Sequence, residues 1–175
     1  MATIAVLVNG PPGAGKSTMA GELAAQLGVP LISKDLLKEA MADQVITRLP
    51  TTGLGAIASE AMWHLAALVD GGVVVDSFWS TGRDEKYLRA GLEVAGIQDA
   101  VELWCSADIA TMRERFQSRA RHPAHHDAER MDEWEAMARK AKPVSDYPVV
   151  QVSTQEPVDV VELAARVREL LPALT

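Results

Sequence analysis

The stretch Gly10-Pro11-Pro12-Gly13-Ala14-Gly15-Lys16-Ser17-Thr18 constrains this chain more than any other. It carries glycine, four free positions, glycine, lysine and serine in the spacing of a loop that wraps a chain of phosphates. Its setting agrees. An apolar run, Thr3 to Val8, leads in, and Lys16 to Leu27 leads out with the spacing of an amphipathic helix. Backbone amides of the loop and of the helix N-terminus then converge on phosphate oxygens. Glycines are needed because a Cβ would obstruct both the tight turn and the approach of the anion. Gly10, Gly13, Ala14 and Gly15 form the cradle, Lys16 reaches the terminal phosphates, Ser17 coordinates Mg2+ and Thr18 is a neighbouring hydrogen-bond donor. A turn that merely joined a strand to a helix would not require the Lys-Ser pair at this spacing. The implied ligand is a nucleoside triphosphate with Mg2+.

Beyond the loop, short apolar runs alternate with longer segments whose apolar residues recur every three or four positions, the pattern of a parallel sheet covered by helices. The runs are Thr3 to Val8, Val29 to Ile32, Val73 to Val75, Val101 to Trp104 and Val149 to Val152. Those at 3, 73 and 149 are continuously apolar and read as central strands buried on both faces. Helices are expected over Lys16 to Leu27, over Leu36 to Val45 with an apolar face of Leu37, Ala40, Met41 and Val45, and along the stripe Ala58, Ala61, Met62, Leu65, Ala66 and Val69. Further helices are expected over Asp84 to Val94, around Ile109, Met112 and Phe116, and from Asp159 to Leu171, where Pro172 ends the last. Residues 119–142 are dense in charge and histidine and read as an insertion rather than core.

With 175 residues, 48% of them hydrophobic, the chain suits one domain over residues 1–175. No apolar run reaches the ~18 residues of a membrane span. The net charge of −7, from 24 acidic and 17 basic side chains, disfavours a surface that grips nucleic acid by its phosphates. Cys105 is the single cysteine, so no internal disulfide forms, and the first residues lack the basic flank and long apolar stretch of a secretory signal. The expected location is the cytoplasm.

A switch GTPase would carry an Asn-Lys-x-Asp run and an Asp-x-x-Gly element, and neither occurs. The chain is also too short for an AAA+ module with its helical lid domain. Asp76 ends a strand reading Val-Val-Val-Asp, the Walker B arrangement that sets a carboxylate near Mg2+, although a carboxylate also commonly ends a strand at a turn. Arg113, Arg115, Arg119 and Arg121 crowd one segment; on a helix Arg115 and Arg119 share a face. They suit a clamp on the triphosphate or on the transferring phosphoryl group, against the plainer reading of a solvated helix face. His122, His125 and His126 follow without cysteine or a spaced carboxylate set, so a mobile polar lid is preferred to a zinc site.

In Gly10 to Thr18, Ile32-Ser33-Lys34-Asp35, Val73-Val74-Val75-Asp76-Ser77, Arg113 through Arg121 and Tyr147 to Pro157, the chain resembles the small P-loop kinases that include shikimate kinase, gluconate kinase and chloramphenicol phosphotransferase. The resemblance spans nearly the whole chain, and its phosphate loop is the highly specific part. It implies the P-loop NTPase fold: α/β, a five-stranded parallel sheet in the order 2-3-1-4-5 with helices on both faces, and a small Arg-rich lid at roughly 119–142. It implies transfer of the γ-phosphoryl group of ATP, with GTP open as an alternative, to a hydroxyl of a small molecule. Asp35 stands where such kinases hold the carboxylate that takes the proton from the acceptor hydroxyl; a plainer role as a helix cap is compatible with that. The exchanged assignment, with Asp76 as base and Asp35 orienting the acceptor, stays open.

Acceptor residues are expected after strands two and three, among Arg48, Thr51, Thr52, Gly53, Trp63, Phe78, Trp79 and Arg83. Trp79 with Phe78 offers a flat apolar wall, and Arg83 a cation for a polar acceptor, although core packing and a surface ion pair are the ordinary alternatives. Shikimate kinase would carry a Gly-Gly pair after its third strand, whereas Gly71-Gly72 precede it here, and a nucleoside monophosphate kinase would carry more arginines around its acceptor. The aromatic content better suits an uncharged or weakly charged polyol, nucleoside or antibiotic hydroxyl, as in chloramphenicol- or nucleoside-antibiotic-type resistance kinases. Tyr147 to Pro157, including Thr154, should pass the purine base by its backbone. The competing readings are a metabolite kinase and a non-catalytic, nucleotide-dependent regulatory protein. No nucleic acid or membrane partner is expected, and monomer and homodimer both stay open.

Overall fold

The computed structural model describes residues 3–45, 47, 49–120, 122–125 and 131–174, without the side chains of 3, 131 and 132. Five strands form one parallel sheet: β1 (Thr3–Asn9), β2 (Leu31–Ser33), β3 (Gly72–Asp76), β4 (Ile97–Ser106) and β5 (Val149–Ser153). Their order is β2-β3-β1-β4-β5, as the resemblance implies. The register runs Val6 to Val74 on one side of β1 and Val6 to Val101 on the other. Between the strands lie α1 (Lys16–Leu27), α2 (Lys34–Asp43), α3 (Thr51–Ala67), α4 (Glu85–Ala95), α5 (Ile109–Ser118), a 3-10 turn (Pro123–His125), α6 (Met131–Lys140) and α7 (Val160–Leu170).

Alternation of side chains along each strand splits the core into two layers. Val6, Val8, Val101, Leu103 and Val152 face α1, α5, α6 and α7, while Ala5, Leu7, Val73, Val75 and Ala100 face α3 and α4. Helix starts follow local chemistry: Asp108 accepts from Thr111 N at 2.7 Å, and Asp159 from Val161 N and Glu162 N at 3.0 Å each. No helix among the described residues is long and apolar enough to cross a membrane.

The structure corrects several expectations. β5 is an edge strand with alternate residues exposed, so its apolar run marks a strand covered on one face only. β4 begins at Ile97, ahead of the apolar run, because Gln98 and Asp99 are exposed strand residues. In α2 the buried residue is Lys38, while Ala40 lies exposed and Val45 is exposed beyond the helix end. Leu65 is exposed on α3. Residues 119–142 are not wholly an insertion: Trp134 and Ala138 of α6 are buried in the larger core layer.

Candidate active site

The site lies at the carboxyl ends of the strands, where connections from β1 and its neighbours diverge to opposite faces. The phosphate loop joins β1 to α1 there. Gly10 has φ 144°, and a Cβ on it would lie 2.3 Å from Cys105 O; Gly13 has φ 90°, and a Cβ would lie 2.2 Å from Met112 O. Both positions exclude a side chain by conformation and by space.

The loop carbonyls are met by donors from within the loop and from elsewhere in the chain. Pro11 O accepts from Ala14 N at 3.1 Å and from Lys16 Nζ at 3.2 Å. Pro12 O accepts from the indole Nε1 of Trp134 at 3.0 Å, and Ala14 O from the hydroxyl of Thr154 at 2.9 Å. The first amides of α1, at Lys16, Ser17 and Thr18, have no intrahelical acceptor by helix geometry and stand at its positive end. An anion is the natural partner for that arrangement.

Lys16 and Asp76 are near enough to shift each other's titration, and Asp35 acts on both. Burial lowers the Lys16 pKa, and Asp76 and then Asp35 pull it back up. Burial raises Asp76, opposed by Lys16 and by hydrogen bonds from Ser17 and Ser33, the latter at 3.1 Å. The Cys105 thiol behind the loop is pushed up to about 12 by burial, which keeps it inert. Hydroxyl and carboxylate oxygens at Ser17 and Asp76 are hard donors of the kind Mg2+ takes alongside phosphates, so the residues present fit that ion.

Beside the loop opens a cavity of about 260 Å3. Ser17, Ser33, Asp35, Glu39, Asp76, Arg119 and His122 supply its polar lining, with Leu31, Leu36 and Ala120. Asp35 lies in the first turn of α2, whose N-cap is Ser33, and no side chain caps that end. Asp35 is among the residues that line the cavity. His122 opens the segment 122–125, which is docked on α2 and α3. His122 Nε2 lies 2.9 Å from Asp43 Oδ1, and buried His125 Nε2 lies 2.7 Å from Glu39 Oε1. The Thr51 hydroxyl donates to Ala124 O at 2.6 Å and accepts from Lys38 Nζ at 2.5 Å.

Other expected site residues fall elsewhere. Trp79 is buried in the core, its ring stacked on Trp63 with centroids 6.0 Å apart, so it is no acceptor wall. Phe78 is the aromatic near the site, with its ring centroid 5.8 Å from Lys16 Nζ. Arg83 is exposed and pairs with Asp84 at 2.7 Å. Arg113 pairs with Glu135 of α6, and Arg115 donates to Thr154 O at 3.0 Å, so both tie elements together around the nucleotide end. Arg119 lines the cavity, its guanidinium 5.8 Å from the Phe116 ring centroid. Arg48, Arg121 and His126 lie outside the described residues.

Sequence reading missed Glu39, Asn9, Glu102 and Trp134. Asn9 and Glu102 did leave a signal, as polar residues within or at the end of otherwise apolar strands. Asn9 Nδ2 donates to Glu102 Oε1 at 2.8 Å, and both residues are fully buried. Among the described residues no group of three or more His, Cys, Asp or Glu is placed to hold a metal by itself.

A family model described as an AAA domain matches residues 6–144, so the shortness of the chain, which set aside an AAA+ module with a helical lid domain, does not set it outside this family. Among solved structures, a candidate kinase from Chloroflexus aurantiacus is 26% identical, covers 97% of this chain and 99% of its own, and superposes with a TM-score of 0.81. Kti12 of Chaetomium thermophilum, solved with ADP-AlF3, is 18% identical with a TM-score of 0.67, covering 98% of this chain and 99% of its own. A sugar kinase from Janibacter is 17% identical with a TM-score of 0.65, covering 99% and 98%. Among curated proteins none matches.

Proposed function

Since the chain belongs to the AAA domain family and has a P-loop kinase-like fold, we propose that it transfers the γ-phosphoryl group of ATP to a hydroxyl of a small uncharged molecule. One observation carries this reading: Asp35, Asp76, Ser17 and Arg119 line a single cavity beside the phosphate loop, large enough for a small acceptor. A protein that only bound nucleotide would not need a carboxylate-lined cavity at the γ-phosphate end.

The triphosphate lies along the loop, its charge met by the α1 amides and by Lys16. Ser17 and Asp76 would hold Mg2+, which when bound neutralises charge on the phosphates. Asp35 orients the acceptor hydroxyl and takes its proton. The acceptor oxygen bonds to the γ-phosphorus as the bond to the bridging oxygen breaks, and the diphosphate leaves. Arg119, at the cavity rim, suits charge on the transferring group. The hydrogen bonds from Ser17 and Ser33 to Asp76 support placing Asp76 on the cation side and Asp35 on the acceptor side.

Purified protein with Mg2+ and ATP or GTP is incubated with pooled polyols, nucleosides and hydroxylated antibiotics, chloramphenicol and nucleoside antibiotics included. The expected result is one product heavier by a phosphoryl group. It disappears in Lys16→Ala and falls about 10²–10⁴-fold in Asp35→Asn, the usual worth of a positioned base, while Asp35→Asn keeps nucleotide binding. Nucleotide binding without any product across the pool would overturn the phosphotransferase in favour of a regulatory protein.

A further inference from the structure

Asn9 and Glu102 are not among the residues that line the acceptor cavity, and their bonds reach three segments, the first residue of the phosphate loop among them. The Asn9 amide oxygen accepts from Gly10 N at 2.8 Å and from Trp79 N at 3.0 Å. Its amide nitrogen donates to Glu102 Oε1 at 2.8 Å and to Trp79 O at 3.3 Å. The other Glu102 oxygen accepts from Ser145 N at 2.8 Å and Val144 N at 3.1 Å. One buried pair thus joins the entrance of the phosphate loop, the segment after β3 and the segment between α6 and β5.

A buried carboxylate is a costly way to fill a core unless its oxygens are fully met, and replacing such a group with apolar side chains commonly raises stability. Here the bonds fix geometry. Gly10 N is turned away from the cradle and onto Asn9, which sets the plane in which the loop leaves β1. The loop is held from its other side by Trp134 on Pro12 O, and α6, which carries Trp134, runs directly into the Val144-Ser145 segment that Glu102 grips.

We propose that Asn9 and Glu102 are a positioning pair that sets the entrance of the phosphate loop relative to the segments after β3 and α6, and so tunes nucleotide affinity. The inference rests on the phosphotransferase reading only through nucleotide binding. It calls for an exchange of the two head groups. Asn9→Asp sets two carboxylates against each other, and Glu102→Gln cannot satisfy Asn9, Val144 and Ser145 together. In the double variant the amide placed at position 102 donates to the carboxylate placed at position 9 and still accepts from the two backbone amides, and only the long 3.3 Å bond to Trp79 O is lost.

Calorimetric titration with Mg·ADP, well below each variant's Tm, reads the effect. We expect each single substitution to weaken binding about tenfold, and the double variant to return within about threefold of wild type. Wild-type affinity in both single variants, with only Tm lowered, would show a merely structural pair and overturn the inference. Additive losses in the double variant would overturn it as well. Glu102→Gln is isosteric and keeps the test open if Asn9→Asp does not fold. Failure of the wild type to bind Mg·ADP would instead strike the nucleotide reading itself, separately from any ratio between variants.

Discussion

Two regions at the same end of the sheet are held in different ways. Around the phosphate loop, the carbonyls of Pro11, Pro12 and Ala14 are each met by a donor, and the donors for Pro12 and Ala14 come from α6 and from the turn after β5. The acceptor cavity is lined instead by α2 and by Arg119, Ala120 and His122, and the segment that His122 begins is joined to α2 through side-chain pairs such as His122 with Asp43, whose carboxylate is 68% exposed. On the phosphotransferase proposed above, the donor end is fixed by buried, many-sided contacts within the chain. The acceptor end is closed by a few polar contacts that can be exchanged without disturbing the core. Substitutions at the first should move stability and nucleotide affinity together, and substitutions at the second should move acceptor recognition almost alone.

The largest effect is expected at Trp134, 2% exposed and stacked on Phe116 with centroids 5.5 Å apart. Trp134→Ala should lower stability by about 3–5 kcal/mol, the usual range for a buried large aromatic, and weaken nucleotide binding with it. Trp134→Phe keeps most of the packing and removes only the donor to Pro12 O, at about 1 kcal/mol. Urea denaturation paired with Mg·ADP titration checks both. A Trp134→Ala protein that binds nucleotide as the wild type does would break the coupling claimed for this region.

This contrast also explains what could be read from the sequence. The phosphate loop is contiguous, and each of its residues is constrained by the local turn and the anion, so its pattern and the flanking strand and helix were legible. The sheet order came with the resemblance carried by that loop and by Asp35 and Asp76. The acceptor cavity is assembled across the chain: Glu39 faces it because a histidine far along the sequence holds its carboxylate, which no spacing rule encodes. Trp79 misled for a related reason. A tryptophan after a strand end serves equally as a pocket wall or as core, and only the position of Trp63 on α3 decides between them. The apolar run of β5 misled because a one-sided edge strand can be written in the same residues as a buried one.

A smaller effect, of opposite sign for stability and binding, is expected at Asp76. Burial holds its carboxyl above the ordinary 3.8, so the folded chain keeps this proton to higher pH than the unfolded chain does. Stability must then fall as pH rises from the ordinary value through the raised one, and the deficit persists at neutral pH. Asp76→Asn should raise the Tm of the ligand-free protein at neutral pH. The gain should vanish as the pH approaches 3.8. Binding of Mg·ATP should weaken in the same variant. Thermal melts across pH, with and without Mg·ATP, check the pair of signs; a lower Tm in the ligand-free variant would show that the Ser17 and Ser33 bonds outweigh burial.

The smallest effect sharpens the comparison most. Exposed ion pairs contribute about 0.2–1 kcal/mol, so His122→Ala should leave the melting curve close to that of the wild type. The same side chain lines the acceptor cavity and helps dock residues 122–125 on α2, so its removal should loosen one wall. With the hydroxyl compound that the product screen yields, the acceptor KM should rise about two- to fivefold, the equivalent of that energy, while the KM for ATP stays put. Asp43→Asn should repeat the pattern, because it removes the charge of the same pair from the α2 side without touching the cavity lining. Combining the two substitutions should add little to His122→Ala alone, since Asp43→Asn weakens the same contact that His122→Ala removes. An equal rise in both KM values would mean that residues 122–125 also position the nucleotide, and the division between a fixed donor end and an adjustable acceptor end would have to be given up.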